Sequence, residues 1–145
     1  MAHRTFFSFH YERDVQRSSV VRKSSQFKDQ IDAEWIDASL WEESKKNDSA
    51  IRRLIANALD RTTVTAVLIG SQTANRRWVN YEIKESVARG NGLLGIYIHN
   101  IVGFDGRTAA KGINPLPSWV KTYDWVRDDG YQNLGQWVDH AYEMR

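Results

Sequence analysis

Short apolar runs alternate with stretches whose apolar residues recur every third or fourth position, and this alternation divides the chain into strands and helices. Thr5 to His10 (TFFSFH) is almost continuously apolar, as expected of a strand covered on both faces. Asp14 to about Lys23 follows as a modest helix rich in Ser and Arg, and a short edge strand is expected somewhere in Ala33 to Ala38. Ile51, Leu54, Ile55, Ala58 and Leu59 then form a full amphipathic stripe, its start marked by Asp48 or Ser49 as N-cap. Val64 to Ile69 (VTAVLI) reads as a buried strand ended by Gly70, and Leu93 to Ile98 (LLGIYI) as another, entered through the turn Gly90-Asn91-Gly92. Between them lies a helix whose core stripe is Val79, Ile83 and Val87. Residues 100 to 118 hold both prolines and three of the nine glycines and make a long loop. A short strand near Tyr123 to Val126 and a helix near Leu134 to Tyr142 complete the chain.

Strands alternating with helices imply right-handed crossovers and a mostly parallel sheet with helices on both faces. About five strands in this length fit an α/β flavodoxin-like fold with strand order 2-1-3-4-5. In such sheets a ligand binds beyond the carboxyl ends of the strands, where strands one and three diverge. Those ends turn polar here: His10 and Tyr11, Gly70 and Ser71, His99 and Asn100.

Composition narrows the chemistry. The 145 residues fit one domain spanning 1–145, and the 20 Lys and Arg against 18 Asp and Glu are spread along the chain, so nucleic acid is not an implied partner. The absence of cysteine excludes thiolate nucleophiles and Cys-ligated zinc and fits a reducing compartment. With no apolar run of ~18 residues and no secretory signal, neither a membrane span nor export is expected, and the reading is cytoplasmic. No Gly-x-Gly-x-x-Gly follows the first strand, and no Walker-type Gly-Lys-Ser or Gly-Lys-Thr is present. His3, His10, His99 and His140 lack metal-ligand spacing, and Ser8 and Ser71 lie outside any Gly-x-Ser-x-Gly elbow. A phosphoryl-accepting receiver would need an acidic cluster at strand ends that read His-Tyr and Gly-Ser.

Trp78 and Glu82 stand one helical turn apart at the start of the helix after the third strand, on the border of its core stripe. Such a carboxylate beside an aromatic wall can stabilise a developing cation or hold sugar hydroxyls. Spacing alone equally allows a solvated surface glutamate next to an ordinary packing tryptophan.

The segments TFFSFHYERD, LIGSQT, RRWVNYEIKESVARGNGLLGIYIHN and INPLPSW together resemble the TIR-like proteins of bacterial Thoeris anti-phage systems, a branch of the Toll/interleukin-1 receptor superfamily. The resemblance runs from about residue 4 to the C-terminus. It implies cleavage of NAD, as substrate and not as cofactor, at the nicotinamide-ribosyl bond, with a signalling nucleotide as product. The family's glutamate, four residues beyond a Trp, carries over to Glu82 with Trp78. Its first-strand aromatic and following polar residues match Phe9, His10 and Tyr11. Many TIR enzymes carry Ser or Cys where this chain has Val79. The resemblance further implies self-association that completes the site, an effector reached through a diffusible product, and no metal.

Under that reading His10 and Tyr11 would position sugar hydroxyls, Arg77 would meet the diphosphate, and Ser71 would donate nearby. The bland alternatives are a satisfied buried histidine, loop packing, a solvated arginine and a helix cap. Trp119, Trp125 and Trp137 read as core or loop anchors, and Trp41 falls where TIR proteins carry a mobile loop. Two function classes remain: an NAD-cleaving enzyme making a second messenger, in particular a cyclic ADP-ribose isomer, and a non-enzymatic adaptor working by domain contact.

Overall fold

The computed structural model describes residues 2–26, 31–37 and 47–145. Its elements run β1 (His3–Phe9), α1 (Tyr11–Ser25), β2 (Ile31–Asp37), α2 (Asp48–Asp60), β3 (Val64–Ile69), a single 3-10 turn (Thr73–Asn75), α3 (Arg77–Arg89), β4 (Gly92–Tyr97), β5 (Thr122–Asp124) and α4 (Gly130–Glu143). All four strand pairings are parallel and the order is β2-β1-β3-β4-β5, the flavodoxin-like order expected from the sequence.

Strand residues alternate between two apolar layers. Phe7 and Phe9 of β1, Ala66 and Leu68 of β3 and Leu94 and Ile96 of β4 face α1 and α4, where Val21, Leu134, Trp137 and Val138 meet them. Phe6, Val67, Ile69 and Leu93 face the other way, onto Ile51, Ile55 and Leu59 of α2 and Trp78, Val79 and Ile83 of α3. Two of the anticipated aromatic anchors pack here: Trp137 stacks on Tyr123 at 4.2 Å and meets Trp125 edge-on at 6.2 Å.

Several expectations need correction. Apart from β3, strand limits shift by one or two residues. The first helix starts at Tyr11, and Asp14, expected as its first residue, is a non-helical break within it at φ −123°. The cap of α2 is Asn47, whose side chain accepts from Ala50 N at 2.9 Å, in place of Asp48 or Ser49. Leu54 and Val87 are exposed although each sits at a stripe position. In α3 the inward place belongs to Ser86, whose hydroxyl contacts Thr65 Oγ1 at 2.8 Å and donates to Glu82 O at 2.7 Å. Trp119 is 69% exposed, no anchor at all. Together with Val87, Leu93, Lys121 and Met144 it borders a shallow cleft of about 230 Å³ at the amino end of β4, away from the polar strand ends. Trp41 lies outside the described residues.

Gly92 starts β4 directly under the last turn of α4: a Cβ there would come within 2.2 Å of Ala141 O, and a carbonyl inside a helix cannot retreat. Gly92→Ala should therefore lower stability by about 1–3 kcal/mol, read as a falling urea midpoint at unchanged m-value.

Candidate active site at the strand ends

Four residues of helix advance about 6 Å, and two residues of strand about 6.7 Å, so a helix lying along a strand meets it in matched steps. The bond from Ser86 to Thr65 fixes the lowest step of α3 on β3. One turn higher, Glu82 comes level with Val67, and a further turn places Trp78 level with Ile69. In the neighbouring strand the register pairs Phe6 with Thr65 and Ser8 with Val67, so continuing the strand brings His10 to the uppermost step. By alternation Phe6, Ser8 and His10 all face α2 and α3. By this register Trp78, Glu82 and His10 lie on one face of the sheet, toward the carboxyl ends of its strands.

The environment of Glu82 settles one of the open alternatives: it is 0% exposed, not a solvated surface residue. Trp78 is 3% exposed, edge-on to Tyr81 at 5.5 Å, with the Arg77 guanidinium 4.6 Å from its ring centre. Arg77 also forms an ion pair with Asp48 in the first turn of α2, which ties the starts of the two helices together. Both Arg76 and Arg77 open α3, a helix with no acidic residue in its first turn. Cations there oppose the helix dipole, so the Asp48 carboxylate is electrostatically well placed.

Other expected residues divide. His10 is buried at the end of β1, and its carbonyl accepts from Asp14 N at 3.0 Å. Tyr11 begins α1, and its side chain lies outside the described residues. Ser71 is exposed in the turn after β3 and caps nothing; the turn is held by Thr73, whose hydroxyl accepts from Gly70 N at 2.8 Å. Phe9 points into the α1/α4 layer, on the opposite side of the sheet from Glu82.

The sequence reading missed Asp14. Its carboxylate occupies the space that any side chain at position 70 would fill, since a Cβ on Gly70 would lie 2.3 Å from Asp14 Oδ2. Position 112 is equally constrained: a Cβ there would lie 2.0 Å from Gly70 O. The long loop thus rests on the end of β3 through two glycines in contact. Arg17 holds the same loop to α1, donating from Nε to Ile101 O at 2.8 Å and from Nη2 to Arg107 O at 3.0 Å, while Gln16 Oε1 accepts from Phe104 N at 2.7 Å. The only sequence signal for Asp14 was its place as the first residue of the expected helix.

Ser8, weighed earlier only as a nucleophile, is 0% exposed, and its hydroxyl has no hydrogen-bond partner among the described residues. Burying a hydroxyl in that state costs about 1–3 kcal/mol.

At the far edge, Asp124 gathers the ends of β4 and β5. Its carboxylate accepts from Asn100 Nδ2 at 2.7 Å and from the Val126 and Arg127 amides at 3.0 Å each, with His99 Nε2 at 3.9 Å. Burial pushes its carboxyl up, but the Arg127, Asn100 and Val126 bonds together with His99 outweigh burial and hold it below the ordinary aspartate range.

The sequence profile of the family described as "Thoeris protein ThsB, TIR-like domain" matches residues 6–102. The chain belongs to the Thoeris ThsB family of TIR-like domains. A candidate cyclic ADP-D-ribose synthase, ThsB1 of Bacillus cereus (strain MSX-D12), is 37% identical to this ThsB-family chain over 192 aligned positions, covering 96% of this chain and 100% of that protein. Among solved structures, the TIR domains of the activated Roq1 resistosome superpose with a TM-score of 0.45 at 16% identity, covering 66% of this chain and 57% of that one. A 3-dehydroquinate dehydratase-like protein from Bifidobacterium longum gives 0.41 at 11% identity, covering 99% and 98%. Family membership fits the geometry: the matched span contains the whole of α3 and the ends of β1, β3 and β4. No helix among the described residues is long and apolar enough to cross a membrane.

A lowered native pKa makes the ionised Asp124 stabilising above the unfolded value near 4, and that contribution is lost as pH falls through the native value. The stability difference between wild type and Asp124→Asn should therefore be constant above about pH 5 and shrink on acidification, as followed by urea melts from pH 7 to pH 3.

Proposed function

We propose that this ThsB-family chain is an NAD-cleaving enzyme of anti-phage defence that releases nicotinamide and makes a signalling nucleotide, a cyclic ADP-ribose isomer, for a separate effector. The observation that carries the reading is the fully buried carboxylate of Glu82, one turn from the buried indole of Trp78 at the switch point of the sheet. A buried carboxylate is costly to fold around, and such costs concentrate where chemistry needs a charge in a dry site. The B. cereus relative, named as a candidate cyclic ADP-D-ribose synthase, supports the same substrate and product class.

The reaction suits these groups. Nicotinamide is cationic in NAD and departs neutral, so it takes the bonding electron pair without needing an acid. The positive charge passes to the ribosyl carbon and its ring oxygen, and the ionised Glu82 stabilises that charge electrostatically. Trp78 walls the sugar and excludes water, which favours capture by a nucleophile of the same molecule. An adenine nitrogen or ribose hydroxyl then bonds to the ribosyl carbon and a proton is released, so nicotinamide, the cyclic nucleotide and one proton account for all of NAD. The Arg76 and Arg77 pair at the start of α3 supplies positive charge for the diphosphate. Because Glu82 is wholly covered, catalysis requires an opened form, which self-association or an infection signal would stabilise.

The test is nicotinamide release from NAD by the purified protein and by cells carrying it during phage infection, with the nucleotide product weighed against ADP-ribose, than which a cyclic isomer is one water lighter. Glu82→Gln should lower release by about 10²–10³-fold with no fall in melting temperature, since the variant buries no charge. Full activity in that variant would sink the mechanism, and wild type that releases none even in infected cells would leave the adaptor reading in its place.

A further inference from the structure

The middle step of the helix-strand register brings Ser8 and Glu82 to the same height and the same face of the sheet. Ser8 is completely buried on the central strand, yet its hydroxyl bonds neither to Glu82 nor to any other described group. Alanine would fill the position without an unsatisfied oxygen, so packing alone does not account for serine here. Ser18 and Ser24 share the condition, but they lie on α1, across the sheet from Glu82.

We propose that Ser8 binds substrate, its hydroxyl and the Glu82 carboxylate bracketing a single hydroxyl of the nicotinamide ribose. The proposal rests on the NAD-cleaving reading. The chemistry selects the bridging group. An ionised carboxylate only accepts hydrogen bonds, so whatever touches it donates, while the serine hydroxyl can either donate or accept. One atom that donates to the carboxylate and still exchanges a bond with serine is a sugar hydroxyl. A ring nitrogen or a phosphate oxygen lacks the proton, and the N–H2 groups of NAD, which could donate to both, sit on the bases and not on the sugar whose developing charge Glu82 faces. Ser8 thereby fixes the sugar beneath the reacting carbon, and Glu82 is held to one edge of it.

The experiment compares wild type with Ser8→Ala on NAD and on two analogues lacking either the 2′- or the 3′-hydroxyl of the nicotinamide ribose. On NAD, Ser8→Ala should lower kcat/KM by about 10–30-fold, while its melting temperature rises by about 2–5 °C because an unsatisfied buried hydroxyl has gone. On the analogue lacking the bracketed hydroxyl, wild type and variant should agree within about twofold, whereas on the other analogue the gap should persist. Unchanged kcat/KM for Ser8→Ala on NAD overturns the proposal. So does the same loss on all three substrates, or a lowered melting temperature, either of which marks a packing role. These failures leave the Glu82→Gln loss standing. Wild type that never releases nicotinamide overturns the parent reading, and the Ser8 assignment with it.

Discussion

The near match between one helical turn and two strand residues governs this protein. Because α3 lies along β3 and its lowest inward residue is pinned by the Ser86 to Thr65 contact, each turn above inherits a fixed partner. Glu82 owes its burial and height to that pin, and so does the seating of Trp78 against the upper apolar layer. A polar pair at the base of the helix is an economical device for this purpose. Apolar side chains tolerate sliding, whereas two hydroxyls in a dry interface bond at one position only.

Around that register the strand ends are held from three sides. Arg77 and Asp48 join the starts of α3 and α2, Asp14 fills the space left by Gly70, and Arg17 and Gln16 fasten the long loop to α1. The loop can approach so closely because Gly112 meets Gly70 with no side chain between them. Charges at the start of α3 are balanced from a different helix, which couples the electrostatics of the rim to the packing of α2 on α3.

Much of the fold was legible because burial on both faces leaves continuous apolar runs: β3 was located to the residue, and the sheet order followed from crossovers of one hand. The failures share a cause. Leu54 and Val87 look inward by periodicity, but a helix on a flat sheet buries a narrow strip, and in α3 Ser86 claims the place by hydrogen bonding. Trp119 is large and apolar, which argues for burial on average and says nothing of the one loop that carries it. In the site, Trp78 and Glu82 were visible as spacing, and His10 as a strand end. Phe9 could have been assigned to the far layer from strand alternation alone, since it is one residue out of phase with His10. Ser8 and Asp14 stayed hidden because their meaning depends on neighbours some sixty residues away in sequence, at Val67 and Gly70.

The place of β1 in the sheet also bears on synthesis. Strand β1 is made well before β3, yet it sits between β2 and β3 with Phe6 and Phe7 fully buried on opposite faces. Its partner β3 emerges only after Thr63, so until then β1 displays at least one open edge, even once β2 is available to cover the other. Parallel pairing across such a separation closes slowly, and exposed strands of this composition invite intermolecular pairing. The β1 segment is therefore an adhesive peptide until the centre of the sheet can be built.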